Sequence, residues 1–231
     1  MTDQIRLNKF LAERIGVSRR EADDLIAAGK VTIDGKPAVL GARIDKSSKV
    51  CYNGKSIPFG TDYIYLAMHK PIGYICSRRA QGDAPTIYEL LPEQYRHLKT
   101  VGRLDKDSSG LILLTNDGDF AYQMTHPKFR KDKVYVVTLD RPLKPLHQQM
   151  ISDYGIMLDD GPSKFTIIRQ DAKTGDNLYT VILSEGRNRQ IRRTFAALGY
   201  RVVTLHRTEF GKFGLGDLKS GSIQVIDPQS I

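Results

Sequence analysis

The chain has 231 residues, 40% of them hydrophobic, and its 35 Lys/Arg against 26 Asp/Glu leave a formal charge of +9. That length suits one large domain or a small one joined to a medium one, the hydrophobic fraction is that of a globular protein in water, and the charge asks for a polyanionic partner. No apolar run approaches the ~18 residues of a membrane span, the polar start Met1-Thr2-Asp3-Gln4 does not read as a signal peptide, and Cys51 and Cys76 form no Cys-x-x-Cys pair, so a cytoplasmic chain with free thiols is expected.

Leu7, Phe10, Leu11 and Ile15 recur at helical spacing, with Gly16 as a natural stop. Ser18-Arg19-Arg20-Glu21 is a capping box opening a second helix through Ala22, Leu25 and Ile26 to Gly29. Val31-Thr32-Ile33, a turn at Asp34-Gly35 and a further extended stretch follow, so residues 1–58 read as a compact module of two short helices and a small sheet. Arg19 and Arg20 occupy the first turn of the second helix, where the helix dipole disfavours positive charge by about a few tenths of a kcal/mol each. Either a phosphate docks there or the helix end is simply solvated.

Ile57-Pro58-Phe59-Gly60-Thr61-Asp62 reads as a linker, after which residues 62–231 change texture. Tyr63 to Met68 is a strand, Lys70-Pro71-Ile72-Gly73 a turn, and Leu111-Ile112-Leu113-Leu114-Thr115 a strand buried on both faces. Lys133 to Leu139, Phe165 to Arg169 and Tyr179 to Leu183 are further strands, and a helix is predicted from Arg189 to Leu198, ending at Gly199. Gly211 to Gly216 reads as turns. Strands with interspersed helices and no regular βα alternation predict an α+β domain.

Charge is uneven along this layout. Residues 1–59 carry +4, residues 60–185 are neutral, and residues 186–219 carry +6. The five histidines (69, 97, 126, 147, 206) have no metal-ligand spacing, and no P-loop, dinucleotide loop or GxSxG elbow is present, so neither a metal nor a cofactor is expected. That leaves carboxylate chemistry or none. Gly102-Arg103-Leu104-Asp105-Lys106-Asp107-Ser108-Ser109-Gly110 is a glycine-bounded polar loop feeding the most apolar strand, a good place to hold one reactive group still. Arg103 and Lys106 flank Asp105, and a carboxylate kept charged by nearby cations suits a nucleophile or base. Read from its residues alone, the loop is equally an ordinary one with solvated charges.

Several segments in order carry a resemblance. Gly102-Arg103-Leu104-Asp105, continued through Gly110-Leu111 to Thr115-Asn116-Asp117-Gly118, resembles the signature of the RsuA-like ribosomal pseudouridine synthases. Lys70 to Gly73 resembles that family's first catalytic-domain motif, Lys133-Val134-Tyr135 its Lys-x-Tyr motif, Glu185 to Arg193 its basic third motif, and Leu205-His206-Arg207 with Leu215 to Leu218 its C-terminal segment. Arg6 to Leu11 and Ser18 to Ala22, ending at Gly29-Lys30-Val31, resemble the S4 RNA-binding domain. Two departures stand out: Thr194 occupies a position where a methionine is usual, and Lys46-Ser47-Ser48-Lys49 lacks an acidic residue common near the end of an S4 unit.

The resemblance implies an S4 domain over 1–58 and, over 62–231, a catalytic domain on a mixed, largely antiparallel sheet with flanking helices. It implies isomerisation of uridine to pseudouridine in ribosomal RNA, or in a ribosome assembly intermediate, by a monomer needing no cofactor. Asp105 would be the catalytic carboxylate, Tyr135 would lie against the uracil face, and Arg192 would pair with Asp105. Arg6, Lys9, Ser18, Arg19, Arg20, Lys30, Arg103, Arg187, Arg189, Arg193 and Arg207 would contact RNA. The spelling of residues 187–193 inclines towards large-subunit RNA, whereas His206 is similar to the small-subunit enzyme. A non-catalytic, ribosome-associated S4-type RNA-binding protein fits the N-terminal module and the charge equally well, and a hydrolytic glycosidase would be marked by release of free uracil.

Overall fold

The structure, a computed structural model, describes residues 4–60, 62–78, 82–169 and 177–229. The start Met1-Thr2-Asp3 and Thr61 of the predicted linker lie outside the described residues. Two compact units are formed, one from Met1–Ile64 with His97–Lys99 and Asn116–Gly118, the other from the remainder.

In the first unit, β1 (Ile5–Arg6) leads into α1 (Leu7–Arg14), and α2 (Arg19–Ala27) opens on the expected capping box. The Ser18 hydroxyl accepts from the Glu21 amide at 3.1 Å, and the Ser18 amide donates to the Glu21 carboxylate at 2.7 Å. β2 (Val31–Ile33) turns back through Asp34 and Gly35, both left-handed at φ 50° and 81°, into β3 (Lys36–Pro37). β4 (Arg43–Ile44) pairs with β1, while β5 (Val50–Tyr52) and β6 (Lys55–Ile57) complete a sheet of order β3-β2-β5-β6. Leu7, Phe10, Leu11, Ala22, Ile26, Val31, Ile44 and Val50 fill the core, on the helical and strand faces the periodicity marked. Part of the predicted linker belongs to this unit: Ile57 ends β6, and Phe59 stacks on Phe10 with ring centres 4.6 Å apart.

The second unit is built on a sheet that, among the described residues, has nine strands. Its chain order is β7 (Tyr65–Lys70), β8 (Lys99–Val101), β9 (Ser109–Thr115), α3 (Gly118–Thr125), β10 (Lys133–Leu139), α4 (Pro145–Gln149), a hairpin of β11 (Ile156–Leu158) and β12 (Gly161–Ser163), β13 (Thr166–Arg169), β14 (Leu178–Leu183), α5 (Gln190–Ala197), β15 (Val202–Phe210), β16 (Phe213–Gly214) and β17 (Ile223–Val225). In space the main order is β13-β14-β10-β15-β9-β7-β17, with β16 folded back on β15 and β8 on β9. Every pairing registered along this path is antiparallel except that of β15 with β9, where His206 lies opposite Ser109 and Arg207 opposite Gly110. The fold is α+β on a mixed, largely antiparallel sheet.

β9 is central, and Leu111 to Thr115 are all buried, as an uninterrupted apolar run requires. β15, nine residues long, is a strand the sequence reading passed over. Its polar Thr, His and Arg positions hide the alternation, because one of them, Arg207, is buried.

Candidate active site

The loop between β8 and β9 is tied down at almost every residue. The Leu104 amide donates to Cys76 Sγ at 3.4 Å, the Gly73 amide donates to the Lys106 carbonyl at 2.7 Å, and the Ser108 amide closes a turn onto the Asp105 carbonyl at 3.1 Å. Lys70, fully buried at the end of β7, donates from Nζ to the Ser108 carbonyl at 2.6 Å and to the Pro71 carbonyl at 2.9 Å. Burial pushes the Lys70 ammonium below its ordinary value and the Cys76 thiol above its own. The Lys-Pro-Ile-Gly turn is therefore a brace for the Asp105 loop. That role was not read from the sequence, although a lysine closing an apolar strand is the signal that could have shown it.

At its other end the loop meets β15. Gly110 sits at φ 106°, and a Cβ there would lie 2.2 Å from the Arg207 carbonyl oxygen and 2.6 Å from its nitrogen. Only glycine permits this approach. Asp105, its side chain 32% exposed, lines a cavity of about 360 Å³ beside this contact. Arg103, Lys133, Tyr135, Leu183, Arg187, Arg189, Leu205 and Phe210 also line that cavity, whose size is that of a small-molecule site. Tyr135, only 8% exposed on β10, lines the same space.

Among the described residues the cation in ion-pair contact with Asp105 is Arg189, not Arg192. Arg189 holds a left-handed conformation (φ 46°) just before α5 and reaches Asp105 Oδ2 at 3.5 Å and the Asp107 carboxylate at 3.0 Å through both terminal nitrogens. Arg192, inside the first turn of α5, instead grips the back of the loop. It donates to the Asp107 carbonyl at 2.8 Å and to the Val202 carbonyl at 2.9 Å, with Asp107 Oδ2 3.4 Å from its Nε. The expected Arg192–Asp105 pair is thus replaced by two arginines sharing Asp107, although Arg192 remains near enough to feel the charge of Asp105. The Arg189 hydrogen bonds hold the Asp107 carboxyl below the usual carboxylate range. Asp107 and Lys133 were not singled out for the site by sequence reasoning. Lys133 is 9% exposed beside the cavity, and burial, aided by Arg207, brings its ammonium down to about 8.

With this geometry in view, comparison with known proteins is specific. Residues 64–197 match the family model described as RNA pseudouridylate synthase, and residues 5–50 match that of the S4 domain. The chain belongs to the RNA pseudouridylate synthase family. Ribosomal small subunit pseudouridine synthase A of Pasteurella multocida is 36% identical, over 98% of each chain. Ribosomal large subunit pseudouridine synthase B of Bacillus subtilis is 34% identical, over 98% of this chain and 93% of its own. A crystal structure of a pseudouridylate synthase superposes with a TM-score of 0.69 at 31% identity, covering 96% of each chain.

The side chains of this pseudouridylate synthase that were expected to meet RNA fall into distinct groups. Arg6, Arg19, Arg20, Lys30 and Arg103 are exposed and have no acidic partner among the described residues. Lys9 pairs with Glu13 at 3.9 Å, and the Ser18 hydroxyl is engaged as the helix cap. Arg187 is fastened to the β11–β12 hairpin, donating to the Asp160, Gly161 and Pro162 carbonyls and to the Asp160 carboxylate at 2.8–3.0 Å, and Arg193 binds the same carboxylate at 2.7 Å. Arg207 is not a surface cation at all. It is 2% exposed, donates from Nε to the Leu111 carbonyl at 2.7 Å and lies 4.9 Å from the Phe210 ring centre, because the parallel pairing turns it into the sheet's interior. His206 is held by Ser109 Oγ at 2.8 Å on the neighbouring strand. Thr194, the departure in the third motif, is fully buried and donates to Ser163 Oγ at 2.7 Å, while Gln190 Nε2 donates to the same oxygen at 3.0 Å and to the Glu185 carboxylate.

Among the described residues no cluster of three His, Cys, Asp or Glu is placed to hold a metal, and no helix is long and apolar enough to cross a membrane.

Proposed function

We propose that the chain isomerises specific uridines of ribosomal RNA to pseudouridine, acting as a monomer, with Asp105 as the catalytic carboxylate. The observation that supports this most is the meeting of Asp105, Arg189 and Tyr135 in one cavity on a braced loop. In the isomerisation the C1′–N1 bond breaks, the base turns, and C5 bonds to C1′, while a proton leaves C5 and N1 gains one. No atom is gained or lost, so the residues need only hold, polarise and move protons.

Asp105 would attack the sugar or the base, or remove a sugar proton. Attack at C1′ and removal of a sugar proton both call for a fixed anion. Arg189 orients that anion by a charge-assisted contact, and Arg192, through the Asp107 carbonyl, positions the loop without touching substrate. The Tyr135 ring offers a flat face for the detached base while it turns, and its phenol can take part in proton transfer. A uridine within folded RNA reaches this cavity only by flipping out, which costs about a few kcal/mol. Contacts to phosphates offset that cost. The exposed Arg19 and Arg20 on the S4 unit are cations available to supply such contacts.

Of the two ribosomal RNAs the large-subunit one is the proposed target, on the spelling of residues 187–193. The test incubates unmodified RNA of each subunit, free and as assembly particles, with the wild type and Asp105→Asn, and maps pseudouridine by chemical labelling. Product from the wild type and a loss of at least about 100-fold in the Asn variant is expected. Equal rates from the two would remove Asp105 from its role. Product confined to small-subunit RNA would move the target, and release of free uracil would replace isomerisation by hydrolysis.

A further inference from the structure

The basic side chains of the third motif are largely engaged within the protein: Arg187 and Arg193 on Asp160, Arg189 on Asp105 and Asp107, Arg192 on the loop backbone. A flipped uridine still brings the bases and phosphates of its neighbours to the pocket mouth. One rim of the pocket is built to receive them. Thr125 and Pro127 line the cavity, and both belong to the stretch from the end of α3 through a single 3-10 turn, Pro127–Phe129, to Arg130.

Along this stretch Tyr122 and Phe129 are 46% and 37% exposed, with ring centres 5.8 Å apart and planes at 88°. The ring of His126 completes a triangle with them, 4.7 Å from Tyr122 and 6.4 Å from Phe129. The Lys128 ammonium lies 5.2 Å from the Tyr122 centre and 4.7 Å from that of Phe129. Arg130, left-handed at φ 45°, closes the turn with its side chain in solvent. Neither Lys128 nor Arg130 has an acidic partner among the described residues. Three aromatic rings held open to water beside two unpaired cations, continuous with a pocket, match a chain that carries flat bases and regular negative charge. A protein partner would satisfy the rings and leave the cations without a reason.

We propose that Tyr122 and Phe129, with Lys128 and Arg130, form a platform for the single-stranded nucleotides flanking the uridine that enters the Asp105 pocket. This rests on reading that pocket as the uridine site. One base stacks on an exposed ring, and its phosphates take the place of water at Lys128 and Arg130.

The experiment titrates the full chain with a single-stranded RNA of about ten nucleotides, uridines carrying one fluorescent 2-aminopurine beside the centre. Tyr122→Leu with Phe129→Leu keeps apolar side chains but removes the rings; it should weaken binding about tenfold or more and abolish the stacking-induced quenching, with the salt dependence unchanged. Lys128→Gln with Arg130→Asn, asparagine being tolerant of a left-handed backbone, should keep the quenching and lower the log–log salt slope by about 1.4, two single-strand phosphate contacts. Binding and quenching that survive both double substitutions overturn the platform. So does self-association of the wild type in sedimentation that the leucine pair abolishes while RNA binding persists. Pseudouridine mapping on ribosomal RNA, run in parallel, separates the two readings. Unchanged RNA binding by the platform variants, with product lost only in Asp105→Asn, rejects the platform and keeps the function. Weakened RNA binding with no product from the wild type keeps Tyr122, Phe129, Lys128 and Arg130 as a single-strand RNA surface but rejects the function and, with it, the flipped uridine the surface was to serve.

Discussion

Gly110 and Lys133 show how single positions next to Asp105 trade stability for geometry. A methyl group at 110 would press into three backbone atoms of Arg207 at 2.2–2.8 Å, none of them the end of a flexible side chain. Gly110→Ala is therefore expected to destabilise the catalytic unit by about 3–5 kcal/mol, read from urea unfolding. Gly102→Ala, strained only by its φ of 70° with the nearest atom at 3.6 Å, should cost about 1–2 kcal/mol. Lys133 carries a different strain. Its ammonium is held near 8 in the fold against 10.5 when free, because burial penalises the charged form. Below pH 8 the folded state carries the full penalty. As pH rises from 8 to 10.5 the folded lysine is already neutral while the unfolded one still binds a proton, so this residue makes stability rise across that window. Lys133→Met should stabilise the protein at neutral pH by about 1–3 kcal/mol and flatten the rise, as unfolding midpoints on both sides of pH 9 would show. A flat profile in the wild type would contradict the assignment.

Among the elements, α5 and its preceding turn decide which arginine does what. Arg189 is the left-handed residue that starts the helix, so its side chain leans out over the loop, whereas Arg192 lies a turn further in and meets the loop from behind. Arg189→Ala should then lower kcat with little change in thermal stability. Arg192→Ala, which frees the Asp107 and Val202 carbonyls, should lower both, the stability loss being about 1–3 kcal/mol. Equal stability losses would show that the two share one role. The division was not legible in the sequence, where four arginines stand within seven residues and only backbone conformation separates them. The α2 cap, the 133–139 strand and the buried β9 were legible, because capping chemistry and apolar periodicity act locally. β15 was not, since what buries Arg207 is pairing with a strand almost a hundred residues earlier. The Lys70 and Gly73 contacts to the Asp105 loop escaped for the same reason.

On the scale of the whole molecule, the two units have separate cores and separate sets of free cations. Arg19→Gln with Arg20→Gln should raise KM and lower the log–log salt slope of RNA binding by about 1.4, leaving kcat and the melting of the catalytic unit unchanged. An unchanged slope would contradict the role of the S4 unit as an anchor. The parallel contact of β15 with β9 has one more consequence. The segment that fixes the end of the Asp105 loop is made almost a hundred residues after the loop itself, so this pairing closes a long stretch of chain and belongs late in folding. As the polypeptide is made, the carboxylate loop is held first by Lys70, Gly73 and Cys76, which precede it in the chain, and its contact with Arg207 is added only afterwards. The Asp105 cavity, whose lining includes Leu205 and Phe210 of β15, is therefore complete only after this strand has docked.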